Sequence, residues 1–241
     1  MLAAADIISV WELGSSRPDW SKALIALGAA MPEVAPGALA QMTIGERNAH
    51  LLSLRRDVIG PLMHAMVRCP VCREPLEFEQ SIDELLDGYA PPSEREFAFV
   101  SDEYSVRYRL LDSQDLAQAA DFGSEAHTRE VLAERALIAV SRGDVAIPAS
   151  DLPQDIGEAL SREMADRDPL AHIAIPLACI ECEHVWPATL QILPYLWQEL
   201  ERKAKHVLED VVAIARAYGW SEAEILGMGS ERRQYYLDSI E

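Results

Sequence analysis

The sequence is short of cations, of cysteine and of recognisable catalytic signatures, and each shortage excludes something. Lysine and arginine number 21 against 40 aspartates and glutamates, a formal charge of -19 at pH 7. Most of such a surface repels a duplex phosphate backbone, so nucleic acid is not an expected partner. The opening MLAAADIISVWELG lacks the basic start and long apolar run of an export signal, and Asp6 interrupts it early. The chain is therefore expected to stay in the cytosol. Residues 23–45 carry one charge, Glu33, but Pro32, Pro36, Gly28, Gly37 and Gly45 break any membrane-spanning helix there. No membrane partner is expected.

No G-x-S-x-G elbow, H-E-x-x-H helix or phosphate-cradling glycine loop occurs. GMGSER at 227–232 lacks a third glycine and follows a helix, and no H-x-E motif accompanies the cysteines as a zinc deaminase requires. A non-enzyme is expected. What is present is apolar content: 49% of 241 residues, enough for a core in one large or two small domains.

Residues 2–13 and 18–31 have the pattern of short amphipathic helices. Thr43 and Glu46 have capping-box spacing, and Leu51, Leu52, Leu54, Val58, Ile59 and Leu62 recur at helical intervals behind them. Gly60-Pro61 is expected to kink or restart that helix. Past Cys72 the period becomes two, with Leu76, Phe78 and Gln80 alternating with Glu77 and Glu79, which predicts a strand. EFAFV at 96–100 and YSVRYRL at 104–110 predict a hairpin.

Helices are expected over 113–121, 124–141 and 153–166, started by Ser113, Ser124 and Asp151. HIAIPLACIECEHVWPATLQIL predicts two short buried strands around a tight turn. The longest helix is expected over 194–218, ended by Gly219. Ser221 with Glu224, and then Ser230, start two short helices whose Trp220, Ile225, Leu226, Tyr235, Tyr236 and Leu237 either pack on the long helix or offer a recognition surface, packing being the simpler expectation.

All four cysteines fall into two C-x-x-C hooks, Cys69 with Cys72 and Cys179 with Cys182. Four thiolates complete a tetrahedral shell for a structural zinc ion and leave no open position for water or substrate. Residues 73–178 separate the hooks, where simple ribbons use about 15 to 20. Closing so long a loop costs roughly 5 kcal/mol, against about 10 to 16 kcal/mol contributed by structural zinc in small peptides, so the ion can hold the hooks together. Three other readings compete. A thioredoxin-like pair needs a crossover helix and an electropositive setting, disulfides need an oxidising compartment, and four reduced core cysteines would leave the paired spacing unexplained. His184 is expected beside the site rather than as a ligand. The histidines at 50, 64, 127, 172 and 206 have no mutual metal spacing; His64 is near Cys69 in sequence, but a fifth protein ligand would be abnormal for structural zinc.

The expected fold class is α+β: mostly helical, with a small β module closed by a four-cysteine zinc-ribbon-like site and a long C-terminal helix. The expected division is an N-terminal helical segment over 1–66, a zinc-clipped α/β module over 67–192 with its β-hairpin at 96–110, and a C-terminal helical tail over 193–241. The clip would join the strand after Cys72 to the strand after Cys182, so that the long helix leaves in a fixed direction.

Two stretches carry a family resemblance: IGERNAHLLSLRRDVIGPLMHAMVRCPVCREPLEF, and DPLAHIAIPLACIECEHVWPATLQILPYLWQELERKAKHVLEDVVAIARAYGWSEAEILGMGSERRQYYL. In the G-E-R before a leucine-rich helix, the two hooks, the L-W-x-E entering the long helix, and AYGWSEAEIL followed by R-R-x-x-Y-L, the chain resembles the T4-family baseplate hub assembly chaperones. Relatives of that family accompany contractile phage tails and phage-tail-like injection systems. The resemblance implies a protein that helps baseplate hub or wedge proteins assemble, without chemistry of its own; its expected place is the cytoplasm of the producing bacterium, with association with the particle left open. A permanent structural baseplate subunit, and a zinc-dependent adaptor or regulator unrelated to tails, are the alternatives. After the second cysteine of each hook a left-handed backbone is comfortable and glycine is expected, yet Arg73 and Glu183 stand there.

Overall fold

The structure, a computed structural model, describes residues 2–120 and 124–240; position 121, the expected end of the helix over 113–121, lies outside them. Two helices open the chain, α1 (Ala4–Gly14) and α2 (Asp19–Ala30), followed by a single turn, α3 (Pro36–Ala40), with proline at its start. In α4 (Ile44–Val58) the Thr43 side chain accepts from the Glu46 N–H, the cap its spacing predicts.

No helix restarts after Gly60. That glycine sits at φ 135, and Leu62–Arg68 is a strand, β1, paired antiparallel with β2 (Pro75–Ser81) from Leu62↔Ser81 to Arg68↔Pro75. Gly60 and Pro61 end the helical hydrogen bonding, and β2 offers the freed backbone a complete ladder, which outweighs the helical spacing of the apolar residues.

A short helix, α5 (Ile82–Leu86), leads to the expected hairpin of β3 (Glu96–Ser101) and β4 (Tyr104–Arg109). Then come α6 (Ser113–Ala119), capped by Asp112 rather than Ser113, and α7 (Glu125–Ala136), capped by Ser124. The helix expected to run to 141 stops at Ala136. Leu137–Arg142 is instead a strand, β5, on the second edge of β4, continued by β6 (Val145–Ala146), so the sheet has the order β3-β4-β5-β6. Alternating Ile138 and Val140 favour the strand, and Val140 joins Val106 and Tyr108 in a buried cluster completed by Leu160 of α8 (Gln154–Arg167). Asp151 lies in a 3-10 turn before α8, and Pro153 directly precedes its first residue.

The second cysteine hairpin, β7 (Ile173–Ala178) with β8 (Val185–Leu190), is buried on one face only: Ile173, Ile175 and Leu177 point inward while Ala174, Pro176 and Ala178 are exposed. The 27-residue α9 (Ile192–Tyr218) follows, about 40 Å long by its rise per residue. Gly219 ends it at φ 74, and α10 (Glu222–Leu226) and α11 (Ser230–Asp238) fold back on it through Ile225, Trp220, Tyr236 and Leu237.

The molecule is thus α+β, mainly helical, with small antiparallel sheets and a long C-terminal helix. Its largest core unites α1, α2, α4, both cysteine hairpins and the first half of α9, with Leu51, Leu52, Leu196, Leu200 and Ala204 all fully buried. This core crosses both division points expected at 66/67 and 192/193. The reason is energetic: α9 carries one continuous apolar stripe, each buried leucine of which is worth about 1.5–3 kcal/mol, and the N-terminal helices and both cysteine hairpins cover its first half. No helix among the described residues is long and apolar enough to cross a membrane.

Candidate metal centre

Each hook is the loop of a hairpin, and the two loops are built alike. Cys69 N–H donates to Glu74 O at 2.9 Å and Arg73 N–H to Cys69 O at 3.0 Å; Cys179 N–H donates to His184 O at 2.9 Å and Glu183 N–H to Cys179 O at 3.0 Å. To close the second of these bonds the residue after each hook turns left-handed, Arg73 at φ 66 and Glu183 at φ 56. This is the conformation anticipated for a glycine, adopted here by two side-chain-bearing residues.

The loops meet. Cys69 and Cys182 sulfurs are 3.6 Å apart, Cys72 and Cys179 sulfurs 3.5 Å apart, and all four lie within 4.8 Å of one another. Four thiolates about 2.3 Å from a common tetrahedral centre are spaced by about 3.8 Å, so the set fits a single metal ion without rearrangement. All four cysteines are free, and the contacts at 3.5 and 3.6 Å each join one hook to the other. Cys69 and Cys179 are buried while Cys72 and Cys182 are exposed, so the cluster sits at the surface with one inner edge against the protein.

The bare thiols influence one another's ionisation. Burial alone would push Cys69 up, but the N–H groups of Cys72 and Val71 and the neighbouring Cys72 and Cys182 thiols draw it down to about 6. For Cys72 the Glu74 N–H pulls downward, yet burial and the three other sulfurs push it to about 12. In Cys182 the His184 N–H likewise pulls down and is overcome, chiefly by burial. One thiolate forms readily and suppresses the next, as expected for like charges in contact. A divalent ion would remove that penalty and let all four ionise.

His184 contributes through its backbone, which bonds Cys179 and faces Cys182, while its ring stacks on Trp186 at 5.9 Å. His64 pairs with Glu79 across β1 and β2 instead. Among the described residues four sulfurs come together here, and an ion on them would tie the β1–β2 loop to the β7–β8 loop across more than a hundred residues of chain.

Two polar fastenings escaped the sequence reading. Buried Asp168 accepts from the Gly45 N–H at 2.9 Å and the Thr43 hydroxyl at 3.2 Å, while Asn48 donates to Leu170 O at 2.8 Å, anchoring the start of α4 to the approach to β7. A β-carbon on Gly45 would lie 1.9 Å from Asp168 Oδ1, which explains the glycine of the G-E-R motif. The second is the pair of Arg55 with Glu199, joining α4 to α9. Only the quoted motif residues Gly45 and Glu199 pointed to these positions; their partners carry no local signal.

The chain matches no protein-family model, no curated protein and no solved structure.

Proposed function

We propose that this protein is a non-catalytic assembly factor, a chaperone for the baseplate hub of a contractile phage tail or phage-tail-like injection system, and that its cysteine centre holds one structural zinc ion. The observation that carries the reading is where the resemblance residues fall. The two stretches that resemble the T4-family hub assembly chaperones contain all four sulfurs and fold against each other in the largest core. Their motif residues have jobs in that frame. Gly45 makes room for Asp168, Trp197 packs across Gly14, Glu199 holds Arg55, and Arg233 donates to Met228 O beneath the last helix.

Zinc is the ion this donor set favours, since soft thiolates in a closed tetrahedral shell select it over the hard oxygen-seeking cations. On this reading the ion stiffens a frame whose outer faces receive hub or wedge proteins in the cytoplasm of the producing bacterium. The decisive experiment is deletion of the gene from a producing strain. Baseplates should fail to form while hub proteins are still made, and purified wild-type particles should contain little or none of the protein by mass spectrometry. Normal particles from the deletion strain refute the proposal; stoichiometric copies in wild-type particles make the protein a permanent subunit instead.

A further inference from the structure

A cavity of about 400 Å³ lies where three helices come together, bounded by the start of α1, the end of α2 and one face of α4. That volume is in the range of a ligand pocket. Leu27 and Leu54, both buried, line it together with Met31, so part of its wall is apolar. His50, Ser53 and Asp57 follow one another at spacings of three and four residues, which brings them to one face of α4, and Asp6 of α1 joins them around the same space. No lysine or arginine is among the lining residues.

The polar groups of this lining are largely unengaged. Neither the His50 ring nor the Ser53 hydroxyl has a hydrogen-bond partner among the described residues. Asp6 accepts from the Ala3 N–H through Oδ2 at 2.8 Å, which leaves Oδ1 free. Asp57 meets Arg56 Nε at 3.5 Å, but that guanidinium turns its Nη1 to Asp83 at 3.1 Å, outside the lining. The end of α2 adds to the negative potential. Ala29 and Ala30 line the cavity, their carbonyls accept from no backbone N–H among the described residues, and no basic residue stands in that last turn to offset the helix dipole.

We propose that this cavity receives an arginine or lysine side chain from a segment of a partner protein, one in which apolar residues flank the cation. The aliphatic stem lies along Leu27, Leu54 and Met31, and the charged head reaches Asp6, Asp57 and the end of α2, with Ser53 as a neutral acceptor. Charge selects this occupant. An anion would meet two carboxylates and the negative end of a helix, and an uncharged apolar side chain would strip water from these polar groups without replacing its hydrogen bonds. A free amine is disfavoured for another reason: Asp6 and Asp57 are exposed, so each attracts a small cation weakly, whereas a segment adds the contacts of its neighbouring residues. The net charge of -19 steers a cationic segment toward the surface before it docks.

The test is fluorescence anisotropy of a dye-labelled heptapeptide of alternating leucine and arginine, titrated with the full chain, beside the same peptide carrying glutamate in place of arginine. The arginine peptide should bind and the glutamate peptide should not. Asp57→Asn and Asp6→Asn should each weaken binding about threefold, and the two together about tenfold. Asp6→Asn keeps an oxygen for the Ala3 N–H, so α1 retains its start. Glu134→Gln removes the same charge from an exposed position of α7 outside the lining and should change nothing. Ser53→Phe fills the cavity without altering charge and should abolish binding; if it fails to fold, the charge variants decide. An arginine peptide that does not bind overturns the proposal. Equal losses in Glu134→Gln and Asp57→Asn, or undiminished binding in folded Ser53→Phe, reduce the effect to general attraction and overturn it too. Displacement of the peptide by hexylamine at the concentration at which unlabelled peptide displaces it would make this a small-amine site instead and overturn the partner segment.

Discussion

Arg55 and Glu199 form a two-bond ion pair between α4 and α9, at 2.9 and 2.7 Å, with side chains 3% and 12% exposed. The same guanidinium donates to Gly60 O and Leu62 O, where the chain leaves α4 and enters β1. One side chain therefore joins the helix before the first hook, the strand leading into it, and the helix that follows the second hook. This pair ties α9 to α4 and to the start of β1 without using the sulfurs.

Arg55→Ala would leave a buried carboxylate and two carbonyls without their donor, which should cost about 3–5 kcal/mol in urea unfolding. Arg55→Lys should recover little, because an ammonium cannot make the forked contact. A loss under about 1 kcal/mol for Arg55→Ala would mean that the apolar stripe of α9 orients the helix without help.

Elements with a strong local period were legible in the sequence, and those formed by distant pairing were not. The stripe from Leu196 to Ile214, the Thr43 and Ser221 caps, the hairpin at 96–110 and the Gly219 stop are all decided within a few residues of chain. β1 and β5 lie where a helix is expected, past Gly60-Pro61 and at the end of 124–141; their strand state depends on β2 and β4, whose free edges no local pattern announces. The cysteine cluster was legible because its spacing is itself a signature, and the structure brings all four sulfurs together. Asp168 was invisible for the opposite reason, since a lone aspartate before a proline has nothing to distinguish it until Gly45 and Thr43 fold against it.

A second prediction concerns acid. Asp115 is fully buried between Arg109 and Arg135, each 2.6 Å from its Oδ1. Burial would raise its carboxyl, but the Arg109 guanidinium, the Asp112 N–H and Arg135 outweigh that and hold it below the ordinary carboxylate range. A carboxyl lowered by folding stabilises fully above its unfolded value near 4, and that contribution disappears as pH falls through that value toward the lower folded one. Asp168 has the opposite sign: burial raises it, so ionising it costs stability as pH climbs through the ordinary value. Stability should thus fall below about pH 4, and Asp115→Asn should flatten that acid limb while costing about 1–3 kcal/mol at neutral pH. An acid limb of unchanged slope in Asp115→Asn would assign it to other carboxylates.

Metal content gives a third. Protein purified without chelator should carry about one zinc ion per chain, as a closed four-thiolate shell requires. Stripping the ion should lower the melting temperature without unfolding the chain, because the largest core spans both hairpins and α9 and does not depend on the sulfurs. The loss should fall short of the about 10–16 kcal/mol seen where the ion is the only core. Cys69→Ser should bind substoichiometric metal and melt early. Substoichiometric metal in the wild type, together with unchanged stability in Cys69→Ser, would remove the structural role of the centre.

The hooks themselves supply the last prediction. Arg73 and Glu183 hold φ 66 and 56 because their N–H groups must reach back to Cys69 O and Cys179 O. A side chain in that region costs about 1–2 kcal/mol, whereas glycine avoids the clash but loses about 0.5–1 kcal/mol more in backbone entropy on folding. The balance favours glycine by up to about 1.5 kcal/mol at each hook. Arg73→Gly keeps the carbonyl that accepts from Arg68, so nothing else in the first loop need change. Both single variants should raise the melting temperature and slow the transfer of the ion to a competing chelator, and the double variant should do more of each. If Arg73→Gly melted earlier and released metal faster, the arginine side chain would be contributing a contact to the loop larger than the strain its backbone carries.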